Sequence, residues 1–436
     1  MKGLIFTYAL TYGGSLLSLV NPYYGFLIYV CFGIVRPPAM WPWSVPAGNY
    51  SRIIAIALIV SWLLHGLGNW NFGRAKPILM ALGVFWVCNA VSLWIAPHWD
   101  VAWWFFDFLT KILLPLFIGC TLIDSRAKVE QLLWVILLSQ GFVAYEMNLS
   151  YFAGDNRLLH DGFGSLDNNV AAVSMVAAGG LGLMFALHEE KLWRKGLAAV
   201  ICLLSVHAVM FSFSRGALLS LIAMGGFAFV LIPKRPLYVG AFVVAVLIGV
   251  QLAGPEVVAR FSTAFNRQEE RDSSAESRLA LWKACFQEMI DNPLTGVGLD
   301  HWKLRAHEHG FTPGKAAHSL WMQTAAETGV IGLGSLLMFY GLTMWRLWPI
   351  ARGRIPATVD PYSIAAAQAV MCGLFGCLVA SQFVSSNLVE IPFYLAAAGI
   401  GTLRVVSWQL AEDENLTWQA DEADALAAVE LRAAVT

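Results

Sequence analysis

The sequence predicts an all-α polytopic membrane protein of about 12–13 transmembrane helices, with one large outer loop that contains short amphipathic helices. Three observations lead there. Hydrophobic residues make up 58% of the chain and charged residues 13%, giving a mean hydropathy of +0.62, too apolar for a soluble protein of 436 residues. The apolar residues fall in runs of roughly 17–25 separated by short charged connections, and a backbone inside lipid must close its hydrogen bonds within a helix. Tryptophan occurs 18 times, as expected where rings anchor at the interface. A net charge of −1 says nothing for a nucleic-acid partner, and no basic run suggests one. The seven cysteines sit mostly inside apolar runs, without CxxC or zinc spacing, and read as packed free thiols.

Taken in order, the runs at 6–20 and 23–35 are split by Asn21-Pro22. They read either as two short spans or as one broken, partly re-entrant hairpin. The first run lacks a small-residue cleavage site before a polar mature domain, so it does not read as a cleavable signal peptide. Clearer spans follow at about 52–68, 77–96, 101–122, 129–151, 169–187, 196–213, 216–232, 236–253, 318–346, 362–385 and 388–408. No internal repeat and no soluble domain is evident. Basic residues in short loops orient the bundle. Arg74 and Lys76, Arg126 and Lys128, Lys191 with Arg194 and Lys195, Lys234 and Arg235, and Arg346 with Arg352 and Arg354 fall on alternate connections, which assigns these to the cytoplasm. Loops 36–51, 97–100, 152–168, 212–215, 254–317 and 385–387 then face outward. Residues 1–408 form a single transmembrane domain, and 409–436 an acidic cytoplasmic tail, a frayed helix or disordered.

The long polar segment at 254–317 is the exception among greasy helices. A loop of this length in a compact protein is usually functional or disordered. Ser273-Ser274-Ala275-Glu276 has the spacing of a capping box. Leu279, Trp282, Phe286, Met289 and Ile290 recur at helical spacing, and Asn292-Pro293 stops the pattern. The expectation is a short amphipathic helix at the membrane surface, holding Arg278 at headgroup level.

Outside a cytoplasmic membrane there is no nucleotide-sugar pool, so an enzyme there needs a donor already activated and carried across by a lipid. Arg215 lies between two apolar spans with almost no loop. A cation at a helix centre in lipid costs about 2.5–3.5 kcal/mol, less towards the ends. It reads as a snorkelling helix-end residue or as a guanidinium fork for phosphate oxygens. Arg278 reads as a solvated residue pairing with Glu276 or Trp282, or as a second such binder. His318 opens a long span, as a polar helix start or as a neutral base able to take a proton. Gln323 and Glu327 point into membrane depth, where an ionisable group needs an internal polar partner. His301, His307 and His309 with Asp300 and Glu308 complete no known metal spacing, so no metal is expected. Asp155, Arg157, His160, Asp161, Asp167 and Asn168 form a second outer polar loop, solvated by default, with an acceptor-binding role open.

Four patches in order resemble the O-antigen ligase and O-antigen polymerase superfamily: Ser214-Arg215-Gly216-Ala217, Glu276 to Trp282, Asn292 to Leu299, and His318-Ser319-Leu320 through Glu327-Thr328-Gly329-Val330-Ile331-Gly332-Leu333. Asn21-Pro22-Tyr23-Tyr24-Gly25 and Arg36-Pro37-Pro38 also look like the branch of exosortase-associated O-glycosylation ligases. The resemblance implies a GT-C-like, metal-independent, inverting glycosyltransferase of the bacterial inner membrane, without a cofactor. Its donor would be a polyprenyl-diphosphate-linked glycan, and its acceptor a hydroxyl of a glycolipid, glycan or protein. Arg215 and Arg278 would contact the diphosphate and His318 would activate the acceptor, with Glu276, Gln323 and Glu327 as supporting residues. Within the same superfamily a repeat-unit polymerase fits equally. From other classes, a transporter of lipid-linked glycan would show charge pairs and broken helices in paired halves, and a non-catalytic scaffold would tolerate loss of His318.

Overall fold

The computed structural model describes residues 1–164, 166–232, 234, 236, 240, 270–386 and 389–435, without the side chains of 270–275 and 414–435. Most of the expected span at 236–253, and the basic entry to the outer loop that the sequence places at Arg260, Arg267 and the Arg271 side chain, lie outside the described residues. The described chain is a helical bundle: α1 (Lys2–Val20), α2 (Pro22–Val35), α3 (Tyr50–Leu64), α4 (Lys76–Ile95), α5 (Trp99–Leu122), α6 (Arg126–Phe152), α7 (Asn168–His188), α8 (Leu192–Phe211), α9 (Arg215–Leu231), α10 (Glu270–Asp291), α11 (Leu320–Ala351), α12 (Tyr362–Ala380) and α13 (Ile391–Val435). Among the described residues, nine helices are long and apolar enough to cross a membrane, and α3 and α9 are shorter apolar helices.

The first two runs form two helices, of which α1 is long and apolar enough to cross a membrane and α2 has 14 residues. Asn21 is extended, and its side chain accepts a hydrogen bond from the Tyr23 amide while Pro22 opens α2, so one dipeptide ends a helix and starts the next. At one end of α2 the Tyr23 hydroxyl donates to the Lys128 carbonyl. At the other, Arg36 pairs with Glu390 at 2.7 Å and donates to the Gly164 carbonyl at 2.6 Å. Phe6 of α1 packs edge-on against Trp41 just beyond that second end, ring centroids 5.6 Å apart.

The basic connections meet at one end of the bundle. Arg126 pairs with Asp360 at 3.1 Å, Arg194 with Glu130 at 2.5 Å, and Arg352 donates to the Val230 carbonyl at 2.7 Å. Arg404 is fully buried there and donates to the carbonyls of Asn69, Asn71 and Ile123 at 2.9, 3.2 and 2.9 Å. A buried guanidinium is tolerable because its donors are satisfied. The loops expected to face outward meet at the opposite end. α7 and the apolar part of α13 are the most buried spans among the described residues and form the centre. The small residues of α7 permit the packing: a Cβ on Gly180 would lie 2.9 Å from the Gly373 amide nitrogen.

Two expectations are corrected, and of the two alternatives for the acidic tail the backbone takes the helix. Helix α10 already runs from Glu270, so Ser273 lies within it and is not its N-cap. The backbone of the acidic tail continues α13 to Val435 as helix. The span opening at His318 is interrupted at Gly329, whose φ of 70° and ψ of −167° break α11 in two.

Candidate functional site

Arg215 is placed by a stitched turn. The Ser212 hydroxyl donates to the Val209 carbonyl at 2.7 Å and accepts from the Ser214 amide at 3.2 Å. Phe213 takes φ +52° between them. Ser214 caps α9 by accepting from the Ala217 amide at 3.3 Å, so Arg215 is the first residue of the helix, exposed at its positive end. Two asparagines of the second outer loop hold the turn: Asn156 donates to the Phe211 carbonyl and Asn168 to the Ser212 carbonyl, each at 2.8 Å. Gly216 is required because a Cβ there would lie 2.6 Å from the Phe383 Cβ.

Arg278 and His318 are joined through Trp282. The Trp282 indole donates to the Ala317 carbonyl at 3.1 Å, and Arg278, one turn earlier on the same face of α10, is half-buried. His318 has φ +50°, a left-handed conformation that costs a non-glycine residue about 1–3 kcal/mol. Its neighbours fix it. The Ser319 hydroxyl accepts from the Met322 amide at 3.4 Å, and the Leu320 amide donates to the Ser381 carbonyl at 2.8 Å.

The charges of the site act on one another. Burial draws the Arg278 pKa down from its ordinary value, and the positive charge of Arg215 adds to this. His318 is pushed below the ordinary imidazole value, first by burial, then by Arg278 and Lys315, while Asp167 pulls the other way. Arg215, Arg278 and His318 are therefore brought to one end of the bundle. Its chemical character is concentrated positive charge beside a neutral imidazole, suited to an anionic leaving group and a proton acceptor.

The supporting residues divide. Glu276 is exposed and two positions from Arg278, where helical side chains do not face each other. Gln323 and Glu327 are buried and bonded to each other at 2.9 Å. Glu327 lies nine residues beyond His318, roughly 13 Å along the helix. The two therefore brace the helix below the trio. The third and fourth patches interlock around them. The Val330 amide donates to the Pro293 carbonyl at 2.8 Å and Val297 to Ala326 at 2.9 Å. A Cβ on Gly296 would lie 2.2 Å from the Glu327 carbonyl carbon, and one on Gly329 would lie 2.4 Å from the Pro293 oxygen.

Helix α10 presents two apolar stripes. Leu281 and Cys285 are buried with Trp302, Ala306, Ala317 and Ala326, whereas Leu279, Phe286 and Ile290 are exposed. The expected single apolar face is thus split, with Trp282 and Met289 turned inward and the other three outward. His301 is engaged in the fold: its Nε2 accepts from the His98 amide at 2.9 Å and its Nδ1 meets the Leu299 carbonyl at 2.6 Å. His309 and Arg305 both reach the buried Glu288, at 2.8 and 3.3 Å. Among the described residues no group of three or more His, Cys, Asp or Glu is placed to hold a metal ion.

Beside the site an apolar groove of about 750 Å³ is lined by Trp321, Met344, Trp345, Trp348, Phe375 and Phe383 among others. Phe383 abuts Gly216, and Trp348 lies at the basic end, beneath Arg352. The groove thus runs from the site down the bundle. Phe383, Ser381 and Asn156 were not marked by the sequence, and Asn168 was marked only as part of a polar loop, since each contributes through a contact distant in the chain.

Residues 200–337 match the family model described as O-Antigen ligase, which supports the superfamily resemblance. The matched segment contains Arg215, Arg278 and His318. No curated protein matches the chain.

Proposed function

We propose that this chain, with its O-antigen ligase match over residues 200–337, is a membrane glycosyltransferase that moves a glycan from a polyprenyl-diphosphate donor to an acceptor hydroxyl on the periplasmic face of the inner membrane. The observation that carries the reading is the gathering of Arg215, Arg278 and His318 at one end of the bundle, with an apolar groove leading away from them. The diphosphate lies against the two guanidinium groups at the N-terminus of α9, and the polyprenyl tail follows the groove. The acceptor oxygen attacks C1 of the first sugar. The bond from C1 to the phosphate oxygen breaks, its electron pair leaves with the diphosphate, and the acceptor proton passes to His318. In-line attack inverts the anomeric centre. The arginines stabilise charge that develops on the leaving group, which is where electrostatic preorganisation is most effective.

The test is reconstitution in proteoliposomes with a labelled polyprenyl-diphosphate oligosaccharide and a hydroxyl-bearing acceptor glycolipid. The reading expects labelled acceptor and free polyprenyl diphosphate in equal amounts. Label attached to an identical lipid-linked oligosaccharide would indicate polymerisation within the same superfamily. Movement of intact donor between leaflets without transfer would overturn the reading in favour of a transporter.

A further inference from the structure

The turn after α12 joins the apolar groove to both arms of the site. The Gln382 and Phe383 amides donate to the carbonyls of Val379 and Ala380 at 3.1 and 2.9 Å, and the Ser381 hydroxyl donates to the Cys377 carbonyl at 2.8 Å. One neighbour of Gln382, Ser381, accepts from the Leu320 amide, two residues beyond His318. The other, Phe383, abuts Gly216, the residue after Arg215. Gln382 therefore stands between the two arms, at the site end of the groove, which it lines beside Trp321 and Phe383. The rest of that lining is aromatic rings, Met, Leu, Val and Gly, and only Gln382 brings a carboxamide. The residue is half-buried, and among the described residues its side-chain amide has no hydrogen-bond partner. A carboxamide left without a partner beside hydrocarbon is unfavourable.

We propose that Gln382 is a donor-binding residue, whose carboxamide N–H groups hold the lipid-proximal phosphate of the polyprenyl diphosphate where the tail enters the groove. The proposal rests on the glycosyltransferase reading above and adds a contact to it. On that reading the tail fills the groove and the diphosphate lies at Arg215 and Arg278. The phosphate esterified to the lipid then passes the site end of the groove, where Gln382 is. A carboxamide offers two N–H donors without charge. Phosphate oxygens accept them, and hydrogen bonds to a charged group are stronger than neutral ones. Cleavage at C1 releases charge onto the phosphate that carried the sugar, and the lipid-proximal phosphate changes little. A contact to it is made equally in the bound donor and in the transition state, so it acts on donor affinity rather than on the chemical step.

Gln382→Met keeps the length and bulk of the side chain and removes both donors. In the reconstituted assay, compared at equal amounts of folded, inserted protein, its KM for the donor should rise about tenfold with kcat close to wild type. Two binding probes separate headgroup from tail: polyprenyl diphosphate, and the matching polyprenol, which has no phosphate. Gln382→Met should bind the diphosphate about tenfold more weakly and the polyprenol as tightly as wild type does. Gln382→Glu, of the same size, places a carboxylate against the phosphate and should lose at least as much affinity for the diphosphate. Equal loss for both probes would make Gln382 part of the groove wall only, and wild-type diphosphate affinity in either variant would remove it from the donor site. Either result overturns the proposal, as does a fall in kcat at unchanged KM. Failure of the underlying reading looks different: the wild-type protein would transfer no glycan and would bind the diphosphate no more tightly than the polyprenol.

Discussion

His318 combines two unfavourable states, a left-handed backbone and a place beside cations. Strain of about 1–3 kcal/mol persists only where the surroundings hold it, and such residues gather at functional sites. Because burial and the positive charges of Arg278 and Lys315 lower its pKa, His318 is neutral at ambient pH. A base works only when unprotonated. Transfer should therefore be flat near neutrality and decline as pH falls through a value below the ordinary 6.5, as a pH–rate profile would report. Arg215→Lys keeps the charge but loses the planar fork, and should lower the transfer rate by about tenfold or more while leaving membrane insertion unchanged, measured as initial rates per unit of inserted protein.

At the level of elements, the site depends on glycines at contacts between segments far apart in the chain. Gly296→Ala places a methyl group against the Glu327 carbonyl at a position with φ +67°. It should destabilise the protein by about 2 kcal/mol or more, read as a lower midpoint of thermal unfolding in detergent. The same contacts explain what the sequence could disclose. Span positions were legible because a run of apolar residues in lipid has few alternatives to helix, and the Asn21-Pro22 break was visible as a local signal. The capping box at Ser273 matched in spacing but not in fact, since the helix already runs from Glu270. The apolar face of α10 misled for another reason. Glu288 looks like a solvent residue, yet it is 2% exposed because Arg305 and His309, well downstream, neutralise and bind it. Arg215, Arg278 and His318 stood out by their places in the chain and gained roles from the resemblance, whereas the hold of the second outer loop on the Arg215 turn appears only when distant segments meet.

For the whole molecule, the separation of basic connections from the site loops gives the bundle two unlike ends. Single cysteines introduced at Asp155 and Lys195, in a background lacking the seven native thiols, should label from opposite sides of the membrane with an impermeant maleimide, Asp155 from the periplasm. On the proposed function the groove between those ends would take the lipid tail of the donor, which makes donor binding and diphosphate cleavage separable in an experiment. The most direct measurement is single-turnover transfer by His318→Ala in proteoliposomes, following donor binding and polyprenyl-diphosphate release together. Retained binding with release reduced by about 10²-fold or more is the predicted result, and release at the wild-type rate would contradict the account.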